Sequence, residues 1–434
     1  MRGTQITVGS LILVGTLASG FAQPPVPGTP AIPQTPPAVL PAGGVAPVPA
    51  AGNEIPLAQF DPIAAFPQTT QNSVRAVVTG ANWLARMNQP QGRFLPGYRP
   101  ALRQPIDADH DLKQAKAALA MAQAARFTGN ERHAAVAGQS LLALLALTKP
   151  DPADANCRIP VASSMSCNRV GFAALLALGI SELPGADDKL LAEAEKLCEF
   201  LHRQLRTDGS VHYVDSPNEH PLKVDPAGVN EYPGLALQAI AVSNRVKPAT
   251  WKSDALKKGL ENYRAFFRAN PHATLASTLL PAFTELFLQT KSNDAATAVF
   301  ELADWLLALQ YPAGDPRHPA WAGGFKNGQS TESEPGSDCG SCVSAAACAY
   351  TVLRFNPDLT RAAKYKAAVT DGAAFLCGLQ YTEPNTRHFE NGFRANTLIG
   401  GFYRTPTDGN LHVENTAAAI SGLIRFLGCG AERN

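Results

Sequence analysis

After about Asn72 the chain is helical in pattern and alternates between two kinds of break, and that alternation restricts its fold more than any single motif does. Short breaks fall at Thr128-Gly129-Asn130, Leu183-Pro184-Gly185, Val246-Lys247-Pro248, Lys291-Ser292-Asn293 and Asn356-Pro357-Asp358, where Gly, Pro and capping residues stop one helix and start the next. Long segments run roughly over residues 90 to 107, 150 to 166, 208 to 229, 312 to 336 and 383 to 409; between them only the break at Asn270-Pro271 is short. If successive helices are antiparallel, the long loops emerge on one face and the short turns on the other. Loops of that length without structure of their own are usually functional, so the long-loop face is the candidate business end.

The helical reading rests on apolar period. Val299, Leu302, Ala303, Leu306 and Leu307 follow i, i+3, i+4, i+7, i+8, and Leu190, Ala194, Leu197, Cys198 and Leu201 do much the same. About twelve such segments occur, and no run of alternating apolar and polar residues suggests a sheet. An internal repeat supports their pairing. Trp83-Leu84 leads to Gln89 and Gly92-Arg93-Phe94, Trp305-Leu306 to Gln310 and Gly323-Gly324-Phe325, and Phe375-Leu376 to Gln380 and Gly392-Phe393. Phe200-Leu201, Gln204 and Gly209 make a weaker copy. Each copy packs an outer helix with an aromatic and a Leu, then turns the chain inward at a Gly.

On these residues the chain resembles the squalene-cyclase and protein-prenyltransferase type of α/α toroid, whose repeats carry an aromatic, a Leu, a Gln and a Gly-x-aromatic. The resemblance implies an all-α fold of about six helical hairpins, an (α/α)6 barrel-like ring, spanning residues 68–434. It implies architecture rather than activity, because six-hairpin folds also host polysaccharide lyases, epimerases and glycosidases.

Ahead of this domain, residues 1–22 read as a signal peptide: Met1-Arg2, an apolar run from Ile6 to Leu17, and small residues Gly20 and Ala22 before Gln23. Residues 23–67, rich in Pro and Ala, read as a disordered linker. The expected location is therefore the periplasm, the cell envelope or the exterior, with no membrane span after cleavage. A net charge of +1 with 17% charged residues removes the footprint of a nucleic-acid binder. The expected state is a monomer with a small-molecule or polysaccharide ligand. Eight cysteines suit an oxidising compartment, with Cys157 and Cys167 as the best disulfide pair; Cys339 and Cys342 fit a disulfide, a metal half-site or a redox pair.

In such a ring the starts of the inner helices surround the centre. The first reads Asp107-Ala108-Asp109-His110-Asp111, which resembles the D-x-D-D acid of class II terpenoid cyclases imperfectly and equally suits helix capping. Asp107, Asp109, His110, Asp111, Glu231, Tyr232, His412 and Glu414 form the candidate catalytic set, in acid, base or charge-stabilising roles. Asp338-Cys339 followed by His412 resembles the prenyltransferase zinc set, but the D-x-C spacing is absent, so no metal ligand is assigned and no cofactor is expected. Tyr98, Arg99, Tyr213, Trp321, Arg387, His388, Arg394 and Tyr403 are the candidate binding residues, since aromatic faces stack on sugar rings and guanidinium forks pair with carboxylate or sulfate.

Three readings follow: an exported toroid that binds or processes an anionic polysaccharide by lyase, epimerase or hydrolase chemistry, a terpenoid cyclase or prenyltransferase-like enzyme using the Asp cluster, and a non-catalytic envelope scaffold. The residues do not decide whether the chain is an enzyme.

Overall fold

The computed structural model describes residues 63–162, 166–328 and 332–431. The signal peptide and nearly all of the linker expected from the sequence lie outside the described residues. Twelve helices of 14 to 20 residues build the domain. Six are outer: α1 (Gln68–Met87), α3 (Glu131–Leu145), α5 (Asp188–Arg203), α7 (Thr250–Ala269), α9 (Asn293–Leu307) and α11 (Leu359–Gly378). Six are inner: α2 (Asp111–Thr128), α4 (Arg169–Glu182), α6 (Tyr232–Val246), α8 (Ala273–Thr290), α10 (Gly340–Leu353) and α12 (Val413–Cys429). Each inner helix packs on two inner neighbours, and α12 packs back on α2, so the ring closes.

Composition explains which helices go inside. Every residue of α4 from Val170 to Ile180 is buried, and α2 buries Ala115, Ala117, Ala118, Ala120, Ala122, Ala124 and Ala125. A helix apolar or small on all sides must be covered on all sides, and small residues let neighbouring backbones approach. The outer α5 buries one stripe only, with Ala194, Leu197, Cys198 and Leu201 among it. The short turns are made as the sequence suggests. Gly129 ends α2 at φ +64°, Asn130 caps α3 by accepting from the Arg132 and His133 N–H groups, and Asp187 and Asp358 cap α5 and α11.

The repeat closes each outer helix with a small hairpin. Asn88 bridges Phe94, Leu205 bridges Val211, Gln310 bridges Phe325 and Gln380 bridges Phe402, each antiparallel. Gly92, Gly209, Gly323 and Gly400 sit at the turn with φ between +83° and +96°, a region closed to most side chains. Three sequence assignments shift here, the first being that Leu205 rather than Gln204 holds the bridge in the second copy. The fourth copy is Gly400-Gly401-Phe402 rather than Gly392-Phe393, which lies in a short helical turn, and in the first copy Asn88 rather than Gln89 holds the bridging position.

Short strands, not anticipated from the sequence, organise two of the long loops. Gly97–Arg99 (β1) pairs with Gln104–Ile106 (β2) and with Leu411–His412 (β5), and Thr148–Asp151 (β3) pairs with Asp154–Pro160 (β4). The pairing of β1 with β5 joins the first long loop to the last. No described helix is long and apolar enough to cross a membrane.

Candidate active site at the long-loop mouth

Because the hairpins are antiparallel, all six inner helices start at the long-loop end, and a cavity of about 380 Å³ opens among those starts. The partial positive charge of four helix N-termini, those of α6, α8, α10 and α12, reaches it, since residues at their starts are among the lining. Four carboxylates line the cavity, those of Glu231, Glu334, Asp338 and Glu414, together with Lys116, Lys326 and Arg425. Phe325, only 3% exposed, is the sole aromatic residue among its described lining residues.

Each carboxylate is held differently. Glu231 stands at the N-cap of α6 without capping it; its Oε1 accepts from Lys116 Nζ at 2.6 Å. Glu414, in the first turn of α12, pairs through Oε1 with Lys113 Nζ at 2.7 Å, while its buried Oε2 has no partner among the described residues. His412 Nδ1 lies 3.8 Å from the same Oε1. Burial pushes the His412 pKa down; Glu414 opposes that shift, and Lys113 and Arg404 add to it. Glu334 is committed to loop bracing, since its two oxygens accept from the Thr405 and Thr407 hydroxyls and the Thr407 N–H.

Asp338 makes no side-chain ion pair among the described residues. It sits on the 3-10 turn Ser337–Cys339 that leads into α10, and its side chain is reached by water from the mouth. Protein packed around it nevertheless raises its pKa above the ordinary aspartate value. The N–H groups of Asp338 and Cys339 and the charges of Arg404 and Lys116 pull the other way without cancelling the burial.

The sequence-predicted residues divide. Glu231 and Glu414 line the cavity, with His412 beside Glu414. Asp107, Asp109, His110 and Asp111 are not among its lining residues. Arg93 binds Asp109 at 2.7 Å and Asp111 at 2.8 Å, Asp109 also accepts from Gln114, and His110 Nδ1 caps α2 by accepting from the Leu112 N–H. Tyr232 packs its ring over Gly171, and burial pushes its pKa up to about 12.

None of the eight predicted binding residues lines the cavity. Tyr98 donates to the Arg103 carbonyl and packs on Phe393, Tyr213 is buried and donates to the Asp225 carbonyl, and Tyr403 donates to the Gly378 carbonyl. Trp321 stacks on His318, His388 leans on Phe389, and Arg394 pairs with Glu383. Arg99 and Arg387 are exposed. Lys116, Lys326, Glu334, Asp338 and Arg425 are the charged cavity residues absent from the predicted set. Asp338 had a signal, its place at a helix start; Lys116 had none.

All eight cysteines are free thiols. The expected Cys157–Cys167 bond is not formed, because the two face different surroundings: Cys157 lies near Arg203 and Asp151, and Cys167 near Asp111 and the Leu112 backbone. The C-x-x-C is also unbonded. Cys339 Sγ takes the Phe325 N–H at 3.4 Å and donates to the Phe325 carbonyl at 3.5 Å, as Gln114 does for Phe94 with its amide. Removing that sulfur leaves a buried N–H and carbonyl unpaired. Cys339→Ala is therefore expected to lower stability by about 1–3 kcal/mol in urea unfolding; an unchanged midpoint would show that the thiol anchors nothing.

No family model and no curated protein matches the chain. Among solved structures it is similar to an unsaturated glucuronyl hydrolase, responsible for the degradation of glycosaminoglycan, from Bacillus sp. GL1, at 12% identity and TM-score 0.58 over 81% of this chain and 96% of that one. An α-1,6-mannanase of Salegentibacter sp. HEL1_6 matches at 12% identity and TM-score 0.55 over 83% and 99%. A sugar epimerase from a ruminal bacterium matches at 10% identity and TM-score 0.56 over 82% and 98%. At such identities the likeness is one of fold, and with the closed ring of inner helices it makes this chain an α/α toroid of six helical hairpins.

Proposed function

We propose that the protein is an exported enzyme that processes an anionic polysaccharide in the long-loop cavity, with Asp338 as the proton donor and Glu231 and Glu414 as base and charge-stabilising groups. One observation carries the reading. A carboxyl group whose pKa is raised by burial faces the same cavity as two carboxylates paired with ammonium groups. Hydrolysis, elimination and epimerisation of sugars all need an acid and a base acting on one ring, and environments that treat neighbouring carboxyls unequally supply them. Lys116, Lys326 and the inner-helix N-termini favour a substrate bearing carboxylate or sulfate. The signal-like residues 1–22 support export, where glycans are available.

The lining weighs against the isoprenoid reading, because that reading expects aromatic walls, whereas four carboxylates and a single, nearly buried aromatic stand among the described lining residues. The test is to incubate the domain with uronic-acid, sulfated and neutral oligosaccharides and follow mass, reducing ends, absorbance of unsaturated products and anomeric proton signals. Turnover within the acidic arm is the expected result. Binding without any chemical change would support a scaffold, and turnover of neutral sugars alone would remove the anionic substrate.

A further inference from the structure

The ring also opens at its short-turn end. There a second chamber of about 440 Å³ is lined from all six inner helices. Gln123, Gln238, Pro281 and Arg425 line both this chamber and the long-loop cavity, so the two meet at a waist on the ring axis.

Charge is unevenly satisfied in this chamber. Arg126 pairs with Glu182 at 3.0 Å and Arg245 with Glu285 at 3.2 Å. Both arginines stand in the last turns of their helices, α2 and α6, where a cation also complements the helix carbonyl ends. Arg425 fits neither account. It precedes the last turn of α12, and its guanidinium has no ion pair or hydrogen bond among the described residues. On α8, separated from α12 by α10, Thr284 is 5% exposed and lines the chamber, and its hydroxyl has no partner among the described residues. The half-buried guanidinium is left free to take an anion from the chamber, and the buried hydroxyl is costly unless a partner completes it. Val242, Leu288 and Ile424 give the chamber apolar walls.

We propose that the short-turn chamber is a second binding site for a small organic carboxylate no larger than a monosaccharide, with Arg425 pairing with the carboxylate and Thr284 donating to the ligand's polar edge. The site lies beyond the long-loop cavity, and its occupancy does not depend on what that cavity processes.

The probe is sodium D-glucuronate, with D-glucose as the neutral control, titrated into full-length protein carrying labelled Leu and Val methyl groups. Val242 and Leu288 line only the short-turn chamber, whereas Leu119 and Leu235 line only the long-loop cavity. Glucuronate is expected to shift the first pair along a saturating curve and glucose to leave it still. Arg425→Gln is expected to weaken this binding at least about tenfold, the loss of one charge-assisted contact. Thr284→Val, nearly isosteric and relieved of a buried hydroxyl, is expected to stay folded and bind several-fold more weakly, while Glu231→Gln leaves the affinity unchanged. Shifts confined to Leu119 and Leu235, no saturable shift, or full affinity in Arg425→Gln overturns the proposal. The readout is binding at the short-turn end, so a chain inactive on every saccharide still gives the expected result and a fully active one can fail it.

Discussion

Asp338→Asn is expected to lower kcat on the responsive saccharide by about a thousandfold, the usual scale for losing a positioned proton donor, and at the same time to raise the melting temperature at neutral pH. The two effects share a cause. Burial lifts the folded-state pKa of Asp338 above that of the unfolded chain, so the folded state holds the proton more tightly. The stabilisation from that proton is complete below the unfolded value of about 4 and is lost as pH rises through the folded value. As pH rises above the unfolded value the wild type therefore loses a stabilisation on which Asn does not depend, and Asn removes that cost. At pH 3 both side chains are neutral and the difference should vanish.

A merely structural aspartate would give another pattern. An Asp338 engaged in capping or pairing would lose stability on becoming Asn, and the gap would widen with pH in the opposite sense. Melting curves of both proteins from pH 3 to 8, beside kcat and KM at each pH, separate the cases. A gap of constant size across that range, or kcat within tenfold of wild type, would remove Asp338 as the acid. An unchanged KM would place the loss in the chemical step.

The ring was legible because closure depends on features a sequence carries openly: stop signals, loop lengths and one-sided apolar stripes. The outer helices α5 and α9 show the 3.6 period plainly, since one face is solvated. The inner α4 shows almost none, being buried on every side, so its place is read from its neighbours. The site was less legible. The Asp cluster before α2 has the density expected of a catalytic centre, yet Arg93 from the preceding loop turns Asp109 and Asp111 into an anchor for that loop. No local pattern announces that partner. Lys116 sits in an alanine-rich helix, and only the curvature of the ring aims it at Glu231 from α6. In the sequence Tyr98 and Tyr403 suggest ligand stackers, but they pack with Phe389, Phe393 and Tyr381 across two long loops, which must cover their own backbone.

The repeat glutamine gives the sharpest structural prediction. Gln380 is 4% exposed, and its Nε2 donates to the Gly400 carbonyl at 3.0 Å and the Ala76 carbonyl at 2.9 Å. One amide thus ties the last long loop to α1, the first helix of the ring. Leu has nearly the same volume but cannot donate, and Gly400 has no other donor among the described residues. Leaving that buried carbonyl unpaired, with the second bond lost too, is expected to cost about 2–4 kcal/mol in Gln380→Leu. Gln310 spans the Gly323 and Ala368 carbonyls in the same manner, so Gln310→Leu should fall in the same range. Gln89 looks equivalent in the sequence, yet it is exposed and Asn88 holds the bridge, so Gln89→Leu should change stability by less than about 0.5 kcal/mol. Hydrogen exchange adds a second readout: if Gln380 fastens the ends of the ring, its loss speeds exchange in α1 and α12 before the α4 core opens. Equal costs at Gln89 and Gln380, or uniform exchange across all inner helices, would mean that the glutamine fills space and the ring is held shut by packing alone.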